Sequence, residues 1–395
     1  MKIVIFKSIV LIASIAILCQ CQTKQKGSQP KEPLKETPQL TESIFKIPLD
    51  KNINNQGDIG LKEMAAEVQY IKLEYAPQCL LGRILYLVAS QNYFFVDGGS
   101  GIYQFSRNGK FIRKVGSMGK GPGEYLGLMD LTADESGQKL YILTNWAREI
   151  LIYGFDGKYL GKIPLKDDAT EKCDYVGDSL LALQIHPLSR KSLLSTELID
   201  EQGNSIMKVN SSVIKLSEIG KWMGSNLVYS YNKNVYVKEF YNDTVFQITP
   251  KGLVPYFILE LGKYASPFTY SKEERKKYIF LHRIFENDQS ITILFLYDDK
   301  KCVAQYNKET GRTNVSIPPN DDPEGIKNDV NNGMLFFKPG VILSLKTTQN
   351  EWLRPIEAIK LKEYCNNKDV QGNLKDIVSE LKAEDNPVIM VVKFK

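Results

Sequence analysis

The sequence predicts an all-β fold, a six-bladed β-propeller, from two patterns: a repeated hairpin phrase and a last blade completed by an N-terminal strand. Each copy of the phrase has an apolar strand, a tight turn ending in glycine, and a second apolar strand. The five copies lie at residues 102–116, 150–165, 197–209, 244–257 and 303–317, with turn glycines Gly109, Gly157, Gly203, Gly252 and Gly311. These glycines are 48, 46, 49 and 59 residues apart. A hairpin repeat of this length is typical of β-propellers.

Five blades can be assigned in chain order, each with four antiparallel strands and the first strand next to the central channel. Blade 1 uses residues 84–90, 93–97, 101–106 and 110–116, and blade 2 uses 128–133, 140–145, 149–155 and 159–165. Blade 3 spans about 172–209, blade 4 spans 226–261 and blade 5 spans 282–317. The pairs Asn108-Gly109 and Asp156-Gly157 supply the positive φ of a tight hairpin turn.

The last blade has one strand too few. It begins with residues 334–347, is interrupted, and resumes only at 387–395, so its outermost strand is missing. The apolar segment 68–74 is not used by any other blade, and we expect it to complete blade 6. Such closure hides two sheet edges that would otherwise be exposed. A seven-bladed ring would leave no strands to fill the seventh blade.

The interruption of blade 6, at residues 350–386, has the spacing of two amphipathic helices. The apolar positions are Ile356, Ile359 and Tyr364 in the first helix, and Leu374, Ile377, Val378 and Leu381 in the second. Because the insertion lies in a loop at the channel rim, we expect a lid over the channel mouth or a surface for a partner. A further helix is expected at 271–280, between blades 4 and 5.

The N terminus has the pattern of a lipoprotein signal peptide. Two lysines precede an apolar run at residues 8–18, which is short for a stable membrane anchor. Cys21 is the predicted lipidation site, with Cys19 as the alternative, and a transmembrane anchor is the competing interpretation. We therefore expect a signal peptide at 1–20, a flexible tether at 21–45 and the propeller at 67–395. The tether is rich in Lys, Gln, Pro, Ser and Thr, a composition that does not bury enough apolar surface to fold.

The charge balance argues against a nucleic-acid partner. The 395 residues include 51 basic and 46 acidic side chains, a net charge of +5, and the basic residues are scattered rather than clustered.

The chain resembles the six-bladed β-propeller lipoproteins of Bacteroidetes, relatives of the NHL and TolB-like propellers. The resemblance rests on the signal peptide with Cys21, on the phrase at 108–116 and on the glycine-rich segment 119–125. It covers about residues 67–395. It implies the fold and an envelope location, and it transfers no catalytic residues.

Catalytic and metal-binding patterns are sparse, and no metal or cofactor is predicted. The two histidines, His186 and His282, are interpreted as surface or packing residues. The segment 119–125 lacks the spacing of a phosphate-binding loop, so we expect a connector in which Glu124 caps backbone amides. The acidic clusters at 167–168 and 321–324 lack the spacing of a calcium loop. Of the remaining cysteines, Cys79 and Cys365 are the candidate pair for a disulfide, although spacing alone does not fix connectivity.

The rim that carries the loops between the second and third strands of each blade is the predicted binding surface. It gathers Asp97, Asn145, Trp146, Arg148, Arg190, Lys191, Tyr241 and Asp243. Trp146 with Arg148 is the leading pair, since an aromatic face suits a sugar or peptide and a guanidinium suits a carboxylate. The competing interpretation is that Trp146 is wedged between blades.

The sequence thus predicts a non-enzymatic envelope lipoprotein that binds a glycan, a peptide or a protein partner at the channel rim. We expect it in the outer membrane, on the periplasmic side, because the acidic residues that often follow the lipidated Cys in surface-exported lipoproteins are absent. The alternative is a hydrolase or lyase acting on a sugar or peptide in the central channel. Two close carboxylates, one with a raised pKa, would favour that alternative.

Overall fold

Six β-sheets arranged around a central channel confirm the six-bladed propeller. The computed structural model describes residues 44–54, 57–144, 148–166, 169–186, 193–211, 226–317, 326–331, 344–347 and 350–395. The compact unit that they belong to is Ile44–Lys395.

The chain enters through four short elements and then builds five blades. The entry elements are β1 (Phe45–Pro48), α1 (Leu49–Asn52), α2 (Leu61–Met64) and β2 (Ala65–Lys72). Blade 1 has β3 (Tyr86–Ala89), β4 (Tyr93–Asp97), β5 (Ile102–Ser106) and β6 (Phe111–Val115), and blade 2 has β7 (Leu128–Asp134), β8 (Lys139–Thr144), β9 (Glu149–Gly154) and β10 (Tyr159–Pro164). Blade 3 has β11 (Thr170–Gly177), β12 (Leu180–Ile185), β13 (Leu194–Asp200) and β14 (Ser205–Asn210). Blade 4 has β15 (Leu227–Tyr231), β16 (Asn234–Lys238), β17 (Thr244–Thr249) and β18 (Gly252–Glu260), and blade 5 has β19 (Phe280–Glu286), β20 (Ser290–Tyr297), β21 (Lys300–Asn307) and β22 (Thr313–Ser316).

The middle strands β4, β8 and β9 are nearly continuous apolar runs because neighbouring blades cover both faces of the sheet. In β4, the consecutive residues Phe94, Phe95 and Val96 are all fully buried, although their side chains point to opposite faces. The outermost strands β10 and β14 are mostly exposed and more polar. The core is therefore a ring of apolar layers between blades.

The hairpin turns are confirmed, and all five turn glycines have positive φ. Gly109 has a φ of 87°, and a Cβ at this position would lie 2.0 Å from the carbonyl oxygen of Lys72 in β2. Glycine is therefore required at residue 109 both for the turn and for the close approach of blade 1 to the closing strand.

Closure by an N-terminal strand is also confirmed. The strands β24 (Glu351–Ile356) and β25 (Val388–Phe394) of blade 6 are joined by β2, which pairs antiparallel with β25 along its outer edge. The first and last parts of the chain thus share one sheet, and the ring closes without an exposed edge on β25.

Two assignments inside blade 6 were wrong. Residues 351–356 form β24 and not the start of a helix, because Pro355 does not fit a helix interior while Trp352 and Leu353 are buried on opposite faces of the sheet. The segment 344–347 forms β23 (Ser344–Thr347), which pairs in parallel with β3 of blade 1 rather than with β24. Residues 334–338, expected as a strand, lie outside the described residues.

The insertion does contain two helices, α3 (Ala358–Cys365) and α4 (Asn373–Glu380), but they do not form a lid over the channel. The side chain of Asn373 bonds both backbone groups of Tyr70 in β2, at 3.2 and 2.7 Å, so α4 docks at the outer edge of blade 6. The buried positions of α3 are Ala358, Leu361 and Cys365, whereas Ile359 is 45% exposed. The expected apolar face of α3 was therefore wrong. The expected apolar face of α4 is confirmed, since Leu374 in the helix and Leu381 directly after it are buried.

The helix expected at 271–280 is a single 3₁₀ turn, Glu274–Lys277. Ser271 and Glu274 cap each other's backbone amides, at 3.2 and 3.1 Å, as in a longer helix. β19 of blade 5 begins at Phe280, which leaves too few residues for a stable helix.

The entry elements form an N-terminal strap, which we define as residues 44–64. β1 pairs in parallel with β18, the outermost strand of blade 4. The strap then crosses blade 5, where the amide of Gly57 donates to the carbonyl of Val315 at 2.9 Å, before it reaches β2 in blade 6. Its side chains Ile47, Leu49 and Ile53 are buried in the core shared by blades 4 and 5. The strap therefore links three blades from outside.

The expected disulfide between Cys79 and Cys365 was wrong. Both are free thiols, as are Cys173 and Cys302, and all four are buried. Cys79 packs in the core near blade 1, and Cys365 packs in the core beneath the insertion. The two cysteines belong to different apolar layers, which is why spacing along the chain was a poor guide to their distance.

Candidate functional site

The central channel contains a strand of the protein itself. β23 lies beside β3 and has Cα atoms within 8 Å of β7 and β15, the innermost strands of blades 2 and 4. Its Lys346 ammonium bonds the carboxylates of Asp130 at 2.7 Å and Asp174 at 3.1 Å, and the carbonyl of Cys173 at 2.7 Å. These contacts use all three ammonium protons. Lys346 is therefore a cross-brace between β23 and the innermost strands of blades 2 and 3.

Burial affects the two channel carboxylates unequally. The amide of Cys173 donates to Asp130 at 2.9 Å, whereas Oδ2 of Asp174 is buried with no hydrogen-bond partner in the described structure. Burial raises the pKa of Asp174, although Lys346 opposes the shift. Burial also lowers the pKa of the neighbouring Lys172, which donates to the carbonyl of Asn226 at 2.9 Å.

A small cleft lies at the rim between blades 4 and 5. We call it the blade 4/5 cleft, and its cavity volume is about 70 Å³. Its walls come from β15, the end of β16 and its following loop, the connector after β18, and the start of β19. The lining residues are Leu227, Lys238, Phe240, Tyr241, Asp243, Leu261, Ala265, Ser266, Ile279, Phe280 and Leu281. Apolar side chains with a few convergent polar groups are typical of small-molecule sites, and a cavity this small suits a ligand of few non-hydrogen atoms or one that is only partly enclosed.

Aromatic rings form one side of the cleft and its mouth. The ring of Tyr241 lies edge-on to Phe240, with centroids 4.7 Å apart, and against Phe268, with centroids 4.2 Å apart. Phe268 is 38% exposed, which is unusual for a ring in such close contact. The cluster thus presents an aromatic surface to solvent at the rim.

Lys238 and Asp243 are the charged groups of the cleft. Lys238 is 4% exposed, and its ammonium donates to the carbonyls of Glu239 at 3.0 Å and Phe240 at 3.1 Å. Burial lowers the pKa of Lys238 to about 8, against the attraction of Asp243 and Glu239. Burial also raises the pKa of Asp243, and Lys238 opposes that shift. Titratable groups shifted toward neutrality inside a cleft mark a candidate functional site.

The cleft contains two of the predicted rim residues, Tyr241 and Asp243. Asp97 ends β4 and accepts a hydrogen bond from the amide of Gly99 at 2.9 Å, and Arg148 is exposed in blade 2. Neither lines the cleft. Asn145, Trp146, Arg190 and Lys191 lie outside the described residues, as do the acidic segments 167–168 and 321–324 and the predicted lipidation site Cys21.

Other motifs have structural roles. In the segment 119–125, Glu124 accepts a hydrogen bond from the amide of Gly121 at 2.8 Å, which confirms the predicted cap. His186 is buried near Glu171, and His282 is exposed. No group of three metal-ligating side chains occurs within the described ranges. In the same ranges, no helix has both the length and the apolar character to cross a membrane.

Sequence analysis missed Lys238, Phe280 and the connector that brings Phe268 against Tyr241. Lys238 carried a local signal, since it follows the buried apolar residues Val235, Tyr236 and Val237 of β16. A lysine at the end of such a run is rarely buried without a specific partner. Phe280 carried no such signal in the sequence, because only the packing of blade 5 on blade 4 places it at the cleft.

Comparison with known proteins agrees with this architecture. The profile of DUF4934, a domain of unknown function, matches residues 44–393. The chain belongs to the DUF4934 family. This DUF4934 chain is similar to an exported protein of Bacteroides fragilis, with 19% identity, a TM-score of 0.69, and coverage of 89% of this chain and 100% of that one. The predicted kinship with six-bladed propellers of Bacteroidetes is confirmed.

Two further solved structures are more distant from this DUF4934 member. A DUF4221 protein of Bacteroides vulgatus is 10% identical, with a TM-score of 0.49 over 84% of this chain and 97% of that one. A virginiamycin B lyase of Staphylococcus aureus is 14% identical, with a TM-score of 0.42 over 65% of this chain and 78% of that one. No curated protein matches the chain significantly in sequence.

Proposed function

We propose that this protein is a non-enzymatic binding protein of the cell envelope and that it takes a small polar ligand, such as a sugar, in the blade 4/5 cleft. The observation that carries the proposal is the placement of Lys238, Tyr241 and Asp243 in one cleft, with the ring of Tyr241 packed against the exposed ring of Phe268. An aromatic face packs on the apolar face of a sugar ring, while an ammonium and a carboxylate bond its hydroxyls.

Thermal unfolding of the purified protein in the presence of monosaccharides, disaccharides and short peptides tests the proposal. A ligand present at a hundred times its Kd adds about 2.7 kcal/mol to the stability, which raises Tm by several degrees. The shift is expected to vanish in Tyr241→Ala and to persist in Tyr75→Ala, which removes an exposed tyrosine outside the cleft.

A shift that survives in Tyr241→Ala would place the ligand elsewhere on the propeller. If no small ligand shifts the Tm of the wild type, the small-ligand proposal fails. A protein partner at the rim, sought by affinity capture from envelope extract, would then take its place.

A second candidate function has one observation in its favour. Asp130 and Asp174 flank the same ammonium in the channel, and the pKa of Asp174 is raised by burial. Such a pair is the arrangement expected of a hydrolase or lyase. However, both carboxylates are at most 3% exposed, and Lys346 bonds them both. Turnover of a glycoside or peptide that is lost in Asp174→Asn would favour this second function.

For localisation, we propose an outer-membrane lipoprotein, acylated at Cys21 and tethered through residues 21–45, on the periplasmic side. The similar protein of B. fragilis is described as exported, which supports export of this chain. Metabolic labelling with a fatty acid analogue tests the site. We expect Cys21→Ser to abolish labelling and Cys19→Ser to retain it, while the reverse result would move the anchor to Cys19. Protease accessibility in intact cells tests the side of the membrane.

A further inference from the structure

We propose that Lys238 captures the aldehyde group of its ligand as a reversible imine in the blade 4/5 cleft. The proposal deepens the proposed function, since it concerns the same cleft, and it names the ligand class as an aldehyde such as the open-chain form of a reducing sugar. It rests on three features of Lys238: its hydrogen-bond acceptors, its apolar surroundings and its carboxyl neighbour.

The acceptors around Nζ match a neutral amine. Among the described residues, Nζ has two acceptors, the carbonyl oxygens of Glu239 at 3.0 Å and Phe240 at 3.1 Å. A neutral amine has two N–H bonds and one lone pair, whereas an ammonium has three N–H bonds and none. With both N–H bonds donated to these carbonyls, the lone pair of the neutral form remains available to an electrophile in the cleft.

The surroundings favour that neutral form. Leu227, Ile279 and Phe280 contribute apolar surface to the cleft that Lys238 lines. Burial lowers the pKa of Lys238 to about 8, so about half of its side chains are uncharged at pH 8. An exposed lysine with the ordinary pKa of about 10.4 is less than about 1% uncharged at that pH. A desolvated amine of this kind is an established form of activated nucleophile.

Asp243 supplies the acid that imine formation needs. The lone pair of Nζ attacks the carbonyl carbon, the N–C bond forms as the C–O π bond breaks, and one proton moves from the nitrogen to that oxygen to give a carbinolamine. The Asp243 carboxyl then gives a proton to the hydroxyl, the C–O bond breaks and water leaves, and the nitrogen returns its second proton to the Asp243 carboxylate, so that aldehyde and amine yield imine and water. Burial raises the pKa of Asp243, although Lys238 opposes the shift, and this is the direction that a general acid needs.

Reductive trapping tests the proposal. The purified protein is incubated at pH 8 with glycolaldehyde and sodium cyanoborohydride, whose hydride converts an imine into a stable secondary amine. Peptide mapping by mass spectrometry then gives the rate at each lysine. We expect Lys238 to be modified at least about tenfold faster than Lys263, an exposed lysine next to the cleft. Glyoxylate, used in parallel, reports whether an anionic aldehyde is accepted as well.

The ratio of the two rates should fall as the pH rises from 8 to 10, because the uncharged fraction of Lys238 saturates above its pKa while that of any exposed lysine with the ordinary pKa of about 10.4 still grows. This readout needs only the wild-type protein. In Lys238→Arg the fast adduct should disappear, and in the matched control Lys263→Arg it should remain. Asp243→Asn should slow trapping at Lys238 while Lys263 keeps its rate.

Equal rates of reductive trapping at Lys238 and Lys263 at pH 8 would overturn the proposal that Lys238 forms an imine. If a sugar still shifts the Tm in that case, non-covalent binding in the cleft stands and only the imine fails. Fast trapping at Lys238 without any Tm shift by non-aldehyde ligands supports the imine and argues against a general sugar site.

Discussion

Arg107 of blade 1 and Glu351 of blade 6 form a bidentate ion pair, with N–O distances of 2.8 and 2.6 Å. The guanidinium also donates to the carbonyl of Ser90 at 3.0 Å and lies 4.4 Å from the centroid of the Phe94 ring. The carboxylate is 3% exposed and accepts a hydrogen bond from Thr347 at 3.2 Å. The pair therefore joins the first blade to the last at the point where the ring closes.

Arg107→Met is expected to destabilise the protein by about 3 kcal/mol, because it leaves the Glu351 carboxylate buried without its cation. The measurement is the free energy of unfolding in urea. Lys158→Met is the matched control, since it breaks an ion pair with Asp156 in which both side chains are more than half exposed, and we expect a change below about 0.5 kcal/mol. Equal effects of the two substitutions would show that the closing ion pair contributes nothing.

Lys346→Met is expected to cost about 3–5 kcal/mol at pH 7, because the carboxylates of Asp130 and Asp174 both lose their cation in a buried site. Without Lys346, the burial that raises the pKa of Asp174 acts without an opposing cation. The loss should therefore shrink as the pH falls to 5, because Asp174 then binds a proton more readily in the folded state than in the unfolded state. A loss that does not change with pH would contradict this account of the channel.

Gly109→Ala and Gly311→Ala separate backbone strain from close contact. Both glycines have positive φ, 87° and 69°, so each substitution carries about 1 kcal/mol of strain. An added Cβ at 109 would meet the Lys72 carbonyl at 2.0 Å, whereas at 311 the nearest atom is 4.0 Å away. In chemical denaturation, we expect Gly109→Ala to lower the free energy of unfolding by about 1–3 kcal/mol more than Gly311→Ala does. Equal costs would mean that the closing strand moves aside freely.

The lowered pKa of Lys238 predicts a pH dependence of stability. Between pH 8 and 10 the unfolded state binds more protons at this residue than the folded state, so its contribution to stability rises with pH. The slope is at most about 1.4 kcal/mol per pH unit. The difference in unfolding free energy between the wild type and Lys238→Met should show this rise, and the difference from Lys263→Met should not. A flat difference for Lys238→Met would show an ordinary pKa.

The four described cysteines should all be recovered as thiols. Unfolding the protein with iodoacetamide and without reductant, followed by peptide mapping, should give alkylated Cys79, Cys173, Cys302 and Cys365. In the folded protein the same reagent should react slowly with them, because burial raises the pKa of Cys79, Cys302 and Cys365 and shields all four. A peptide linking Cys79 to Cys365 would contradict the structure.

The parts of the fold that were predictable depend on local chemistry or on counting strands. Gly109 and Gly157 predict their turns because few other residues adopt positive φ. The closing role of β2 followed from a blade with one strand too few. β24 was misassigned because its apolar residues also fit a helical period over a short window, and Pro355 was the overlooked signal.

The cleft was only partly predictable, since its walls come from separate blades. Tyr241 and Asp243 were found because topology places their loop on the rim. Lys238 was missed although its position in β16 was a signal. Phe280 reaches the cleft only through packing between blades, which no local pattern encodes.

The N-terminal strap has a consequence for how the ring comes apart. In a repeat protein each unit contacts only its neighbours, so blades are able to open one at a time. Here the strap is one continuous segment that contacts blades 4, 5 and 6. Its Ile47 and Leu49 are buried in the same apolar core as Leu261 and Ile279, which also line the cleft. We expect wide opening of the blade 4/5 cleft to require release of the strap, and release of the strap to free blade 6. The propeller should therefore melt as a single cooperative unit, and a ligand of the proposed cleft should slow proteolysis near the N terminus.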